Sequence, residues 1–189
     1  GYSGDYVYSD DVAFPFGCGL SYTTFEYSDM DVGYNASSKT YTVSVKVTNT
    51  GRITGKETVQ IYAQTPYTDY DRENGIEKAS VQLVGFGKTQ ELAPGASETL
   101  RITVNKRDLA SYDAYGAGTY ILDAGDYYLT AAADAHNAVN NILAAKGYAP
   151  PAAAPAGGSG DESGVDGEGS GEDAPGDTGE TAPAIISED

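Results

Sequence analysis

Lys39-Thr40-Tyr41-Thr42-Val43-Ser44-Val45-Lys46-Val47-Thr48-Asn49 alternates without a slip. In an extended chain Tyr41, Val43, Val45 and Val47 share one side, and Thr42, Ser44, Lys46 and Thr48 share the other. A period of two with one apolar side predicts a half-buried antiparallel strand over 39–49. The pattern recurs on both flanks of a turn made by Asn49-Thr50-Gly51. Over 57–64, Val59, Ile61 and Ala63 alternate with Thr58, Gln60, Tyr62 and Gln64, which predicts a second strand with the first three inward. Upstream, 21–27 alternates Tyr22, Thr24 and Glu26 with Thr23, Phe25 and Tyr27.

Further along, a polar loop over 66–78 precedes strand character over 81–91 through Leu83, Val84 and Phe86. Ala93-Pro94-Gly95 breaks it, and Leu100, Ile102 and Val104 then alternate with Thr99, Arg101 and Thr103. Runs 119–122 and 127–131 flank Ala124-Gly125-Asp126, which reads as a hairpin turn. Seven or so short strands spaced this way predict an all-β fold, an antiparallel immunoglobulin-like sandwich over 21–133. After Ala133 the period lengthens. Ala135, Ala138, Val139, Ile142 and Leu143 predict a helix over 134–147, with Asp134 as N-cap, Lys146 at the C-terminal dipole and Gly147 beyond it. A helix of about a dozen residues is marginal alone and must dock on something.

Residues 148–189 are rich in Pro, Gly, Ser and acids without apolar periodicity, which predicts a disordered linker or tail. The formal charge of −17 is uneven: 161–189 hold ten acids and no base, leaving −7 for the rest. That balance excludes nucleic acid as a partner, because phosphates require Lys and Arg. No apolar run reaches ~18 residues, so no membrane span is expected. The compartment stays open between cytoplasmic and secreted. The one cysteine, Cys18, excludes an internal disulfide and reads as a small residue tucked into a packed turn.

That turn lies in Phe14-Pro15-Phe16-Gly17-Cys18-Gly19-Leu20-Ser21-Tyr22-Thr23-Thr24-Phe25. Pro15 blocks a helix, and Gly17 and Gly19 permit positive φ or close backbone approach, which predicts a tight crossing between two structural units. The string FPFG-x-GLSYTTFEYS resembles the junction in family 3 glycoside hydrolases, the β-glucosidase group, with Cys18 where those enzymes usually carry tyrosine. VTNTG, VQIYA, LVGFGKT, ELAPGASETL, NKRDLASYD and LDAGDYYL resemble successive segments of that family's fibronectin type III-like domain, in the same order. The resemblance implies that 1–20 is a remnant of a preceding α/β sandwich domain with its linker. It implies a non-catalytic accessory domain at 21–133 that buttresses a barrel and the α/β sandwich domain of the same parent. The parent is implied to hydrolyse β-linked glucosides or related glycosides with retention and without a metal. GDYYLTAAADAHNAVNNILAAKGY resembles the exit from this domain in members whose barrel follows it.

Hydrolysis of that kind needs two carboxyl groups flanking the scissile bond. In the family these belong to an aspartate motif of the barrel and an acid/base motif of the α/β sandwich domain, and neither motif occurs in the 189 residues. The densest carboxylates, Asp69, Asp71, Glu73 and Glu77, read as a solvated loop paired with Arg72 and Lys78. A functional reading sets Tyr67, Tyr70 and Asp71 at the edge of a neighbouring domain's sugar site. Tyr67, Tyr70, Tyr112, Tyr115, Tyr127 and Tyr128 form the alternative of a sugar-stacking platform. His136 has no second ligand at metal spacing, and Gly85-Phe86-Gly87 reads as a bulge or strand bend rather than a dinucleotide fingerprint. No cofactor is expected. Two other classes stay open: an independent carbohydrate-binding module, separable by oligosaccharide titration, and a cell-surface spacer.

Overall fold

The computed structural model describes residues 16–19, 21–148 and 183–188. The expectations for residues 1–15 and for 149–182 lie outside these. In chain order the elements are β1 (Phe25–Asn35), β2 (Thr40–Asn49), β3 (Thr58–Gln64), α1 (Asp69–Glu73), β4 (Gln82–Lys88) and β5 (Ser97–Asn105). A 3-10 turn (Lys106–Leu109) leads to β6 (Ser111–Asp113), β7 (Thr119–Ile121), β8 (Gly125–Ala132), α2 (Ala135–Ala145) and β9 (Ala184–Glu188). Two antiparallel sheets, ordered β1-β2-β5 and β4-β3-β8-β9, face each other, and β6-β7 is a separate two-stranded ribbon. The all-β sandwich follows from the sequence pattern.

The decisive strand behaves as its alternation demands. Tyr41, Val43, Val45 and Val47 are buried while Thr42 is exposed and Ser44, Lys46 and Thr48 are half-exposed. They meet Val59, Ile61, Ala63, Tyr127 and Leu129 of the opposing sheet, with Ile102 and Val104 beside them in β5. β1 adds Phe25 and Tyr27, and its register slips between Ser28 and Asp31, where Asp29 takes a left-handed φ of 51°. Such a bulge lets Met30 and Val32 still turn toward the core.

Five expectations need correction. β3 is buried on both sides, since Gln60 and Tyr62 are buried along with Val59 and Ile61. Its outer side lies under α2, where Tyr62, Ala132 and Ala138 form a second small core. The runs 119–122 and 127–131 do not form one hairpin. β7 pairs with β6 and β8 pairs with β3, because the turn signal at Gly125 marks a break without naming the partners. Cys18 is exposed; Gly17 is the residue packed in that turn. Asp71 is not part of a solvated loop but is fully buried. Within the range 148–189 expected to be disordered, Ala184–Glu188 pair with β8 as β9, an apolar Ala-Ile-Ile run offered to an open sheet edge.

β4 bears out the bulge at the Gly-Phe-Gly triplet. Ile61 faces Gly85 while Tyr62 faces Leu83, so Val84 is the extra residue. Gly85 and Gly87 point at β5, where a Cβ on either would lie 3.0 Å from Ile102. The glycines thus allow the edge strand to close against β5, and they turn Leu83 and Phe86 outward. α2 starts at Asp134, whose Oδ1 accepts from the amide of Asn137 at 2.8 Å, and Gly147 follows it at φ 83°. Ala138 and Ile142 are fully buried beneath it, and Asn141 Nδ2 donates to Thr130 Oγ1 at 3.1 Å. The marginal helix is thereby docked, as its length requires.

Candidate functional site

At one end of the sandwich the loop 65–81, the β6–β7 ribbon and the segment before β8 converge on buried charge. Thr68 opens α1 with a capping box: its Oγ1 accepts from the amide of Asp71, and Asp71 Oδ2 accepts from the amide of Thr68 at 2.7 Å. Seven residues on, Lys78 Nζ donates to Asp71 Oδ2 at 2.8 Å, to Asp123 Oδ2 at 2.6 Å and to the Pro66 carbonyl at 2.8 Å. The three side chains are 6%, 0% and 9% exposed, so this is a buried triad rather than a surface ion pair. Burial raises the Asp71 carboxyl, but the Lys78 ammonium and the Thr68 amide and hydroxyl outweigh it and leave the group below its ordinary range.

A second carboxylate organises the ribbon. Asp113 accepts from the amides of Gly116 and Ala117, both at 2.7 Å, from that of Tyr115 at 3.3 Å, and from the Tyr70 hydroxyl at 2.7 Å. The Ala117 amide, the Tyr70 hydroxyl and the Gly116 amide hold the Asp113 carboxyl below the usual carboxylate range. In return the bond to Asp113 raises Tyr70. Gly116 has no room for a side chain, because a Cβ there would sit 2.5 Å from both Asp113 Oδ2 and Tyr70 Oη.

The three residues predicted to edge a sugar site therefore part company. Tyr67 and Tyr70 show their rings at the surface, Tyr67 stacked under the Arg72 guanidinium at 5.1 Å. Asp71 lies inside, oriented by Lys78. Of the other carboxylates, Asp69 pairs with Arg72, and Glu73 and Glu77 are exposed. The six tyrosines form no single platform: Tyr127 is buried in the core, whereas Tyr112 packs edge-on against Tyr120 with centroids 5.2 Å apart. His136 sits in the first turn of α2. Among the described residues no group of three His, Cys, Asp or Glu is placed to hold a metal ion, and no helix is long and apolar enough to cross a membrane. Asp113 and Asp123 were not singled out in the sequence. Asp113 did leave a trace there, an aspartate followed by Tyr115-Gly116-Ala117-Gly118, which suits a turn closed by its carboxylate.

The second structured locus holds the start of the described chain. Gln60 Nε2 donates to the carbonyls of Gly17 and Ala133, at 2.8 and 2.7 Å, while its Oε1 accepts from the Tyr62 hydroxyl at 2.7 Å. The Phe16 carbonyl accepts from the amide of Ala135 at 2.9 Å. Burial, and then the charge of Asp134, push the Tyr62 hydroxyl up to about 12, so it stays a donor across the ordinary pH range. Phe16 and Gly17 are thus clamped between β3 and the start of α2. Gly17 has a φ of 87°, and a Cβ there would meet the Gln60 amide and lie 2.6 Å from Tyr62 Oη. Gly17→Ala is expected to cost about 1–3 kcal/mol by strain and a broken buried network. Urea melts check this, and an unchanged midpoint would mean the clamp bears no load.

The family model for the fibronectin type III-like domain matches residues 57–135. A β-glucosidase of Ruminococcus albus is 40% identical over 133 residues, 68% of this chain. The solved β-glucosidase of glycoside hydrolase family 3 from Bifidobacterium adolescentis superposes on 68% of the chain with a TM-score of 0.57 at 27% identity. Residues 57–135 are a fibronectin type III-like domain of the kind that family 3 β-glucosidases carry. This fibronectin type III-like domain is also similar to part of a β-xylosidase of Formosa agariphila, 44% identical over 100 residues, 51% of this chain. The chain spans only 13% of the length of the Ruminococcus protein and 18% of the Bifidobacterium chain. β1 and β2 precede the matched residues yet supply Phe25, Tyr27, Tyr41, Val43, Val45 and Val47 to the core, so the folded unit begins earlier than the family model does.

Proposed function

We propose that this fibronectin type III-like domain serves a β-glucosidase-type parent enzyme as a non-catalytic buttress for its barrel and α/β sandwich domains. The observation that carries the reading is the clamp on Phe16 and Gly17, in the string that resembles the junction with the preceding domain. A chain fixed there by Gln60, Tyr62 and Ala135 transmits the position of one domain to another. Residues 1–20 are then the remnant of the α/β sandwich domain and its linker. Tyr67 and Tyr70 stand at the rim of the neighbouring sugar site, and Asp71 positions their loop from within rather than touching sugar.

The absence of both catalytic motifs makes a clear prediction. The isolated chain is expected to release no aryl alcohol from aryl β-glucosides or β-xylosides, as followed by absorbance over hours at high protein concentration. Turnover that co-purifies with the chain and disappears in Glu73→Gln would replace the buttress by an enzyme. The positive test uses the parent: Gly17→Ala there should lower the temperature at which glucosidase activity is lost. A parent variant with unaltered heat inactivation would remove the buttressing role.

A further inference from the structure

We propose that the open side of β8 is a strand-acceptor groove, and that residues 184–188 of a second copy of this chain fit it as well as the chain's own. The proposal is independent of the parent enzyme. β8 has β3 on one side; on the other it carries only β9, in the register Gly125↔Glu188, Asp126↔Ser187, Tyr127↔Ile186, Tyr128↔Ile185 and Leu129↔Ala184. Without β9 those backbone groups would form a bare sheet edge, the arrangement that accepts an added strand.

The groove also reads side chains. Ile186 turns inward and packs against the core beside Met30 and Val32, while Ile185 points outward and is 56% exposed. Ser187 Oγ donates to Asp126 Oδ1 at 2.7 Å, which fixes the register at the far end. The cleft between the segment and β1 is lined by Met30, Val32, Tyr34 and Tyr41. The occupant is therefore defined chemically: a short extended segment with a branched aliphatic residue inward and a hydroxyl next to it.

The second observation concerns connectivity. Between Tyr148 and Pro183 run the 34 residues 149–182, so β9 is delivered from far along the chain. Closing a loop costs only ~0.6 kcal/mol more for each doubling of its length, and nothing in β9's contacts distinguishes its own chain from another. A Gly-rich tether of this length presents its strand at an effective concentration of roughly mM order. The chain's own segment wins at µM concentrations. A second copy's segment wins when the resident one is disabled, or as the chain approaches mM concentrations.

The test uses the full chain carrying Ile186→Asp, which sets a carboxylate against the core and evicts β9. The probe is a fluorescein-labelled peptide of residues 181–189. Saturable binding to the variant, at least tenfold tighter than to the unaltered chain, is expected, with slowed amide exchange over 125–129 and no binding by the same peptide bearing the Asp. Equal affinity for both chains, or none for either, would overturn the groove. Should Ile186→Asp fail to fold, a protease site placed within 161–180 of the unaltered chain takes its place. After cleavage the severed piece should stay with the sandwich at high concentration and leave on dilution, and immediate loss at every concentration overturns the proposal. For the second copy, light scattering of the variant mixed with the unaltered chain should show a dimer growing toward mM. A purely monomeric mixture there would refute exchange between copies.

Discussion

Lys78→Ala is expected to cost the sandwich about 3–5 kcal/mol, the range for breaking a buried ion pair by removing one partner. The reason is what stays behind. Asp71 and Asp123 would face each other at 0% and 9% exposure without the ammonium that both bind. The pH dependence gives the test its sign. In the intact protein the Asp71 carboxyl lies below its unfolded value, so its contribution is present above about pH 4 and is lost as pH falls through the folded value. In the variant the main lowering influence is gone while burial still favours the neutral acid. Acidification should then relieve the variant, and the gap between the two proteins should narrow from pH 7 to pH 3.5. Urea denaturation at both pH values measures it. A constant gap would mean that the cost lies in lost packing of the lysine stem rather than in charge.

Val45→Asp should have a larger effect and leave the chain unfolded. Val45 is fully buried, opposite Leu100, in the middle of the core between the sheets. A carboxylate there has no cation partner and must either shift its pKa strongly or open the sandwich. Losses above about 4–5 kcal/mol are at the level of a small domain's whole stability. Lys46→Asp, one residue on, is the internal control. Its side chain is 44% exposed and reaches Asp29 only at 3.8 Å, so it should change stability by less than about 1 kcal/mol. Far-UV circular dichroism of the pair decides the matter, and the reverse outcome would mean a register shifted by one.

The difference between those two neighbours marks how far the sequence could be read. Alternation in β2 was legible because one side faces a core and the other faces water, and residue types record that contrast directly. β3 was only half legible. Gln60 and Tyr62 look like surface residues, but their cover comes from Phe16 and from α2, more than forty residues away on either side. Pairing was harder still. The runs around Gly125 signalled strands and a break, yet β7 goes to β6 and β8 to β3, choices made by contacts that local pattern does not carry. The loop tyrosines were legible, whereas the buried triad was not, because Lys78 joins Asp71 to Asp123, 45 residues further along the chain than the lysine. The Ala-Ile-Ile run of β9 was hidden in polar sequence, since a five-residue strand shows too little periodicity to stand out.

The clamp on Phe16 and Gly17 has a mechanical meaning. The two carbonyls are held in succession, one by the amide of Ala135 and the other by Gln60, at 2.9 and 2.8 Å. Attachment at a single point leaves a swivel, whereas attachment at consecutive peptide units fixes a direction as well as a place. Torque applied to the chain ahead of Phe16 is therefore delivered into β3 and the first turn of α2, as through a keyed shaft. A body joined there turns with the sandwich.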